Sequence, residues 1–253
     1  MTQPTSIELT VLGAGPAYTD RLGATGAAYL VRSGETAILL DLGQGSFPRL
    51  AAAIEPSRLD AVVISHLHPD HFIDLVPLRH YLAFQFVPAR RVRVLGPAGL
   101  ADRIDALHAR PGFTTETLDC DRLGVEPRRI GSVTLESRLV THTDESYAVR
   151  LSGPTGPGLV YSGDCGVADD LAPLIKAGDT LLVEASFGPG PVPSGAFHLD
   201  APAIASLVRE TRPGRVLLTH LQMGFDPEAT IRRVAEATTA PVHFVEPGER
   251  ILI

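Results

Sequence analysis

The chain has 253 residues, 44% of them hydrophobic and 20% charged, a composition that predicts a globular protein with a large core. No apolar run reaches the length of a membrane span, and the N-terminus lacks a basic region followed by an apolar run. We therefore expect a cytoplasmic protein with no membrane association. The net charge is −7 and Lys176 is the single lysine, which excludes a basic tract for nucleic-acid binding. The two cysteines, Cys120 and Cys165, are too few for a disulfide framework.

Short apolar runs separated by glycine-containing turns predict a strand-rich first half. The predicted strands cover residues 7–12, 27–32, 36–41, 60–65 and 91–95, and the predicted helices cover residues 47–54, 72–86 and 98–109. Because Pro77 interrupts the helical spacing of residues 72–86, we expect that helix to be kinked or divided there.

The second half shows a similar succession of predicted strands and helices. The predicted strands cover residues 132–140, 146–151, 158–161, 180–184, 215–218 and 242–245, and the predicted helices cover residues 169–176, 201–211 and 227–237. In each half, strands come first and helix–strand alternation follows. This order predicts one domain, residues 1–253, built as a four-layer αββα sandwich with two sheets face to face and helices outside.

Four potential metal ligands lie within six residues, in the segment Ser65-His66-Leu67-His68-Pro69-Asp70-His71. The segment follows a predicted buried strand. In extended backbone, residues two apart point the same way, so His66 and His68 can hold one metal ion. Pro69 then redirects the chain, which aims Asp70 and His71 at a second ion. Imidazole and carboxylate ligands suit zinc, and also manganese or iron.

These four residues cannot complete two metal sites alone, so further ligands are expected where other strands end. His142, Asp164 and His220 each follow a predicted strand, and Gly163 lets the backbone turn before Asp164. The sequence therefore predicts seven metal ligands at one edge of the sheets.

The ordered set of His66, His68, Asp70, His71, His142, Asp164 and His220 resembles the ligand pattern of the metallo-β-lactamase superfamily, over essentially the whole chain. The resemblance implies the metallo-β-lactamase fold and a hydrolase with two divalent metal ions, zinc being preferred over manganese or iron. It puts His66, His68 and His142 on one ion and Asp70, His71 and His220 on the other, with Asp164 between them. A shared water or hydroxide would then be the nucleophile.

A further histidine, His198 in Phe197-His198-Leu199-Asp200, precedes a predicted helix. This segment resembles an element of ribonuclease Z-like phosphodiesterases, in which a histidine approaches the phosphate. We therefore predict that His198 is catalytic along with Asp70; the alternative is that His198 caps the helix. Asp200 stands where the family often has Ser or Thr, and it is a suitable N-cap.

The segment from His142 to Asp164 has room for one hairpin only, whereas ribonuclease Z often carries a long basic arm between these motifs. We therefore expect a phosphodiesterase acting on a small phosphodiester or cyclic nucleotide. A ribonuclease Z-type RNA endonuclease and a glyoxalase-type ester or thioester hydrolase are the alternatives, and a non-catalytic metal-binding module is the least favoured.

Other residues receive supporting roles. Asp41, which ends a predicted strand, is expected to support the metal loop from behind, as it does in the superfamily. Glu184 could hydrogen-bond a ligand histidine, cap a helix or be solvated, and Cys165 is interpreted as a small neighbour of the site. The segment Gly13-Ala14-Gly15-Pro16 is interpreted as a tight turn bordering the cleft. Residues 72–86 could form a homodimer face, or line the core or the cleft.

Overall fold

The computed structural model describes residues 6–108 and 110–253. Its strands are β1 (Glu8–Gly13), β2 (Ala28–Ser33), β3 (Thr36–Leu40), β4 (Ala61–Val63), β5 (Val92–Gly96), β6 (Leu118–Arg122), β7 (Arg128–Ile130), β8 (Val133–Leu139), β9 (Tyr147–Ser152), β10 (Leu159–Tyr161), β11 (Thr180–Glu184), β12 (Arg215–Thr219), β13 (Val242–Phe244) and β14 (Arg250–Leu252). Its α-helices are α1 (Phe47–Ala53), α2 (Pro69–Phe72), α3 (Leu75–Phe84), α4 (Leu100–His108), α5 (Ala201–Thr211) and α6 (Pro227–Ala235).

The strands form two seven-stranded mixed sheets. One has the order β14-β1-β2-β3-β4-β5-β6 and the other the order β13-β12-β11-β10-β9-β8-β7. In the first sheet β3 to β6 run parallel, and in the second β10 to β13 do so. The carboxyl ends of the parallel strands in each sheet therefore meet at one edge of that sheet.

Alternating side chains along the strands build three apolar layers. Ile38 and Leu40 of β3 join Leu182 of β11 and Leu217 of β12 in a core between the two sheets. The intervening Leu39 packs instead with residues of α1, α3 and α4 on the outer face of the first sheet. Side chains of α5 and α6 cover the outer face of the second sheet in the same way. The four-layer αββα sandwich predicted from the sequence is thus confirmed.

The predicted helix over residues 72–86 is divided, but not at Pro77. The chain turns at Ile73 and Asp74, between α2 and α3. Pro77 is the third residue of α3, a position whose N–H would have no partner within the helix, so the proline is tolerated. Leu78 and Leu82 of α3 are buried, which supports its core-lining role, whereas Phe84 at its end is exposed.

Other boundaries also differ from the predictions. Residues 169–176 are predicted as one helix. They form instead two short 3-10 turns, Ala168–Asp170 and Ala172–Leu174. A continuous helix is prevented because Pro173 has no N–H to donate. The sequence did not predict β6, β7 and β14, which all lie at sheet edges and present mainly polar or exposed residues. The predicted helix end at residue 109 and the N-terminal residues 1–5 lie outside the described residues.

A buried ion pair between Arg150 and Asp179 connects β9 to the turn before β11. Arg150 donates to both carboxylate oxygens of Asp179, from Nε at 2.7 Å and from Nη2 at 3.0 Å. Asp179 also accepts from the backbone N–H groups of Gly158 and Lys176. Burial alone would raise the pKa of Asp179, but these hydrogen bonds and the charge of Arg150 outweigh it and lower that pKa.

None of the helices in the described parts of the chain is long and apolar enough to cross a membrane.

Candidate metal centre

The seven predicted ligands come together at one edge of the sandwich. His66, His142, Asp164 and His220 follow the carboxyl ends of β4, β8, β10 and β12, respectively. Gly163 has a φ of +55°, and a Cβ added there would lie 2.9 Å from Cβ of Ser65. Glycine is therefore required both for the turn and for the close approach of the two sheets at this point.

The first donor group contains His66, His68 and His142. His68 Nδ1 lies 3.1 Å from His142 Nε2. Asp164 Oδ2 lies 3.7 Å from His66 Nε2 and 3.7 Å from His142 Nε2. These four residues can each offer one atom to a single ion, all within 4.8 Å of one another.

The second donor group contains Asp70, His71 and His220. His220 Nε2 lies 3.1 Å from Asp70 Oδ2 and 3.4 Å from His71 Nε2. Asp164 Oδ1 lies 3.4 Å from His71 Nε2 and 3.6 Å from His220 Nε2. Asp164 thus presents a different oxygen to each group, an arrangement in which one carboxylate can bridge two cations.

The donor spacing fits metal coordination. Tetrahedral ligands about 2.0–2.1 Å from zinc lie about 3.4 Å from one another, close to the separations in both groups. In addition, His66 Nε2 and Asp164 Oδ1 are buried without a hydrogen-bond partner among the described residues. Buried polar atoms seldom lack a hydrogen-bond partner, so these two unpaired atoms indicate a cation-binding site.

Hydrogen bonds made by Nδ1 orient four of the imidazoles. His71 Nδ1 donates to Asp41 Oδ2 at 2.7 Å, and His142 Nδ1 donates to the Phe197 carbonyl at 2.6 Å. His66 Nδ1 contacts Ser65 Oγ at 3.1 Å, and His220 Nδ1 contacts Ser186 Oγ at 3.0 Å. Each of these bonds occupies Nδ1 and leaves the Nε2 lone pair for a metal ion.

The electrostatics of the two groups differ. Burial lowers the pKa of His66, His68 and His142, which keeps these imidazoles neutral and able to bind a cation. Burial would also lower the pKa of His71, but the charges of Asp164 and Asp41 outweigh it and raise that pKa well above its usual value. A histidine ligates a metal ion through an unprotonated nitrogen, so a cation in the second group would have to displace a proton from His71.

Asp41 supports the metal loop as predicted. Besides His71, its carboxylate accepts hydrogen bonds from the Ser65 backbone N–H at 2.7 Å, the Ser65 hydroxyl at 2.7 Å and the Tyr161 hydroxyl at 2.6 Å. Asp41 has a φ of 54° and His220 a φ of 61°, two of the three positive values at non-glycine residues in the described chain. Such backbone costs about 1–3 kcal/mol per residue and clusters at functional sites.

His198 lies at the border of the first group and does not cap α5. The N-cap is Asp200, whose side chain accepts from the Ala203 N–H at 3.0 Å. His198 Nδ1 donates to Glu184 Oε1 at 3.0 Å and lies 3.9 Å from Asp164 Oδ2. Partial burial would lower the pKa of His198, but its hydrogen bond to Glu184 and the charge of Glu184 raise it.

Glu184 is connected to His220 through Ser186, a residue that the sequence analysis missed. The Ser186 hydroxyl donates to Glu184 Oε2 at 2.5 Å and contacts Nδ1 of His220. Ser65 has a similar role beside Asp41 and was also missed, because a lone serine has no sequence signal. Cys165 is buried next to Asp164, and its Sγ lies 3.2 Å from the Val167 carbonyl.

The remaining histidines are not part of the centre. His243 pairs with Glu249 at 2.8 Å, and His80 and His108 pack around Phe113. None of these three histidines lies in one of the sequence motifs described above.

Residues 36–221 match the beta-lactamase superfamily domain. The chain belongs to the metallo-β-lactamase superfamily. An uncharacterised protein of Mycobacterium tuberculosis is 30% identical over 251 residues, which is 95% of this chain and 90% of the relative. The probable metallo-hydrolase YhfI of Bacillus subtilis is 26% identical over 215 residues, 85% of this chain and 87% of its own.

Solved structures of the superfamily share the fold. The crystal structure of YhfI superimposes with a TM-score of 0.87 at 21% identity, covering 98% of this chain and 100% of its own. A diphosphatase from the PhnP family gives a TM-score of 0.76 at 17% identity, covering 97% of each chain. The resemblance to the ribonuclease Z branch is also borne out, because a Mycobacterium ribonuclease Z is 38% identical over 108 residues, covering 42% of this chain and 38% of its own.

Proposed function

We propose that this metallo-hydrolase is a phosphodiesterase with two divalent metal ions, which acts on a small phosphodiester or cyclic nucleotide. His66, His68 and His142 would hold one ion, and Asp70, His71 and His220 the other. The observation that carries the proposal is the position of Asp164, whose two carboxylate oxygens face the two donor groups separately. Zinc is the preferred metal, with manganese and iron as alternatives.

When bound, two such ions supply a water with a lowered pKa and polarise the phosphoryl oxygens of the substrate. The residues of the chain provide the rest. Asp70 is the only carboxylate besides Asp164 in the second group, and we assign it the hydrogen bond that orients the attacking water. The histidines, fixed through Nδ1, keep this arrangement rigid during the reaction.

We assign the leaving group to His198. Glu184 holds His198 through Nδ1, which leaves Nε2 without a hydrogen-bond partner in the described chain. The ring lies 4.7 Å from that of His142, at the border of the donor groups. A histidine held in this way can donate the Nε2 proton to the departing alkoxide oxygen as the P–O bond breaks. Thioester hydrolysis needs less help of this kind, because a thiolate is a weaker base than an alkoxide and departs more readily.

A short connecting segment supports the small size that we propose for the substrate. The segment between His142 and Asp164 contains only the hairpin of β9 and β10, with no arm to clamp a folded RNA. The chain also has a net charge of −7. RNA 3′-end cleavage remains the second candidate, favoured by the partial identity to ribonuclease Z.

A substrate panel tests the proposal. The protein, with its metal content measured, is assayed against bis-(p-nitrophenyl) phosphate, cyclic nucleotides, a thioester and a pre-transfer RNA. An Asp164→Ala variant purified in parallel controls for contaminating hydrolases. We expect turnover of the small diesters that the variant lacks. Turnover of the thioester alone, or of the RNA alone, would reject the proposal in favour of the corresponding alternative.

A further inference from the structure

A cavity of about 270 Å³ lies beside Leu221, the residue that follows His220 of the second donor group, and none of the donor residues lines it. Its walls come from the loop between β1 and β2, from the residue after His220 and from the segment after β13. The Ala14 carbonyl, which lines the cavity, accepts the His220 N–H at 3.0 Å. The backbone at His220 is left-handed, with a φ of 61°. The His220 imidazole lies in the second donor group, whereas the adjacent Leu221 lies in the cavity wall.

The cavity combines apolar walls with free polar groups. Pro16, Leu221 and Phe244 contribute apolar surface, and Phe244 offers an aromatic ring. Arg21 and Glu246 also line the cavity, and both residues are exposed. The side chains of Arg21 and Glu246 make no hydrogen bond or ion pair with any described residue. A ligand can therefore use both charges without breaking an existing contact.

Resting on the proposed function, we infer that this cavity binds the nucleoside part of the substrate while the metal centre holds its phosphate. A nucleobase has a flat apolar face that can stack on the partly exposed Phe244, and polar edges for hydrogen bonds. Glu246 can accept hydrogen bonds from amino or ribose hydroxyl groups, and Arg21 can donate to the carbonyl oxygens of a base. An acyl chain would use the apolar walls but would leave both charged groups without partners.

The experiment compares two esters with the same leaving group, thymidine 5′-(p-nitrophenyl phosphate) and methyl p-nitrophenyl phosphate. Stacking of a base on an aromatic side chain strengthens binding about 5- to 150-fold, so we expect kcat/KM to be at least about fivefold higher for the thymidine ester. The substitution Ala24→Phe fills the cavity from an exposed position in its wall and should bring the ratio of the two kcat/KM values close to one. Ala17→Phe is the matched control, because Ala17 is exposed on the same loop and does not line the cavity.

The outcomes separate this inference from the proposed function. Equal kcat/KM for both esters in the wild-type protein, or a ratio that Ala24→Phe leaves unchanged, overturns the cavity assignment while phosphodiesterase activity stands. If neither ester is hydrolysed, the proposed function fails. The cavity is then tested by calorimetric titration with thymidine 5′-monophosphate. Binding that Ala24→Phe abolishes and Ala17→Phe retains supports the cavity assignment, and absence of binding by the wild-type protein refutes it.

Discussion

Substitution of Asp164 by asparagine tests the bridging assignment most directly, because it keeps the shape of the side chain and removes its charge. The two donor groups should respond differently. In the first group Asp164 is the only anionic donor, whereas the second group retains Asp70. Loss of a hydrogen-bond partner outside the coordination shell already weakens metal binding about 10–100-fold, so loss of the bridging charge should weaken the first site at least about 100-fold. This corresponds to about 2.8 kcal/mol.

The metal content of wild-type and Asp164→Asn protein is measured by mass spectrometry after equilibration in a zinc buffer of fixed free concentration. We expect two ions in the wild-type protein and a value near one in the variant, with at least about 100-fold lower kcat/KM for bis-(p-nitrophenyl) phosphate. Asp169→Asn is the matched control, since Asp169 is an exposed carboxylate outside both donor groups. A variant that keeps two ions and full turnover would refute the bridging role.

Three further outcomes are expected. His198→Ala should keep the wild-type metal content but lower the phosphodiesterase rate by about two orders of magnitude or more, as measured with bis-(p-nitrophenyl) phosphate; an unchanged rate would remove His198 from the reaction. Asp41→Asn should weaken zinc binding about 10–100-fold, because the orienting carboxylate of His71 is lost; chelator competition measures this, and unaltered affinity would contradict the supporting role. Asp179→Asn should lower the free energy of unfolding at pH 7 by about 1.5–3 kcal/mol in urea titrations, since the buried Arg150 loses the charge of Asp179 and keeps Glu136 as its remaining counter-ion among the described residues. Because the pKa of Asp179 is lowered in the folded protein, its contribution is complete above about pH 4 and is lost as the pH falls through the folded value, so the difference should narrow in acid; a constant difference down to pH 2 would show that the charge of Asp179 is not its cause.

The sequence predicted the fold where the hydrophobic pattern is strong. Buried strands such as β3 and β11 are continuous apolar runs, and their boundaries agree with prediction within one residue. The edge strands β6, β7 and β14 were missed because they are short or largely exposed, and only pairing with a neighbouring strand defines them. The division between α2 and α3 also depends on context, since Asp74 accepts a hydrogen bond from the backbone of Phe47 in α1.

The order and spacing of the histidines and aspartates determined, without any coordinates, which residues are candidate ligands and which superfamily the chain resembles. Ligand chemistry and strand ends are local properties, so a single sequence carries them. Tertiary structure decided what depends on long-range proximity. It placed one oxygen of Asp164 at each donor group, linked Glu184 to His198 and through Ser186 to His220, and formed the cavity beside Leu221. These contacts join residues from both sheets and from loops far apart in the chain, and they exist only once the two halves of the sandwich have packed together.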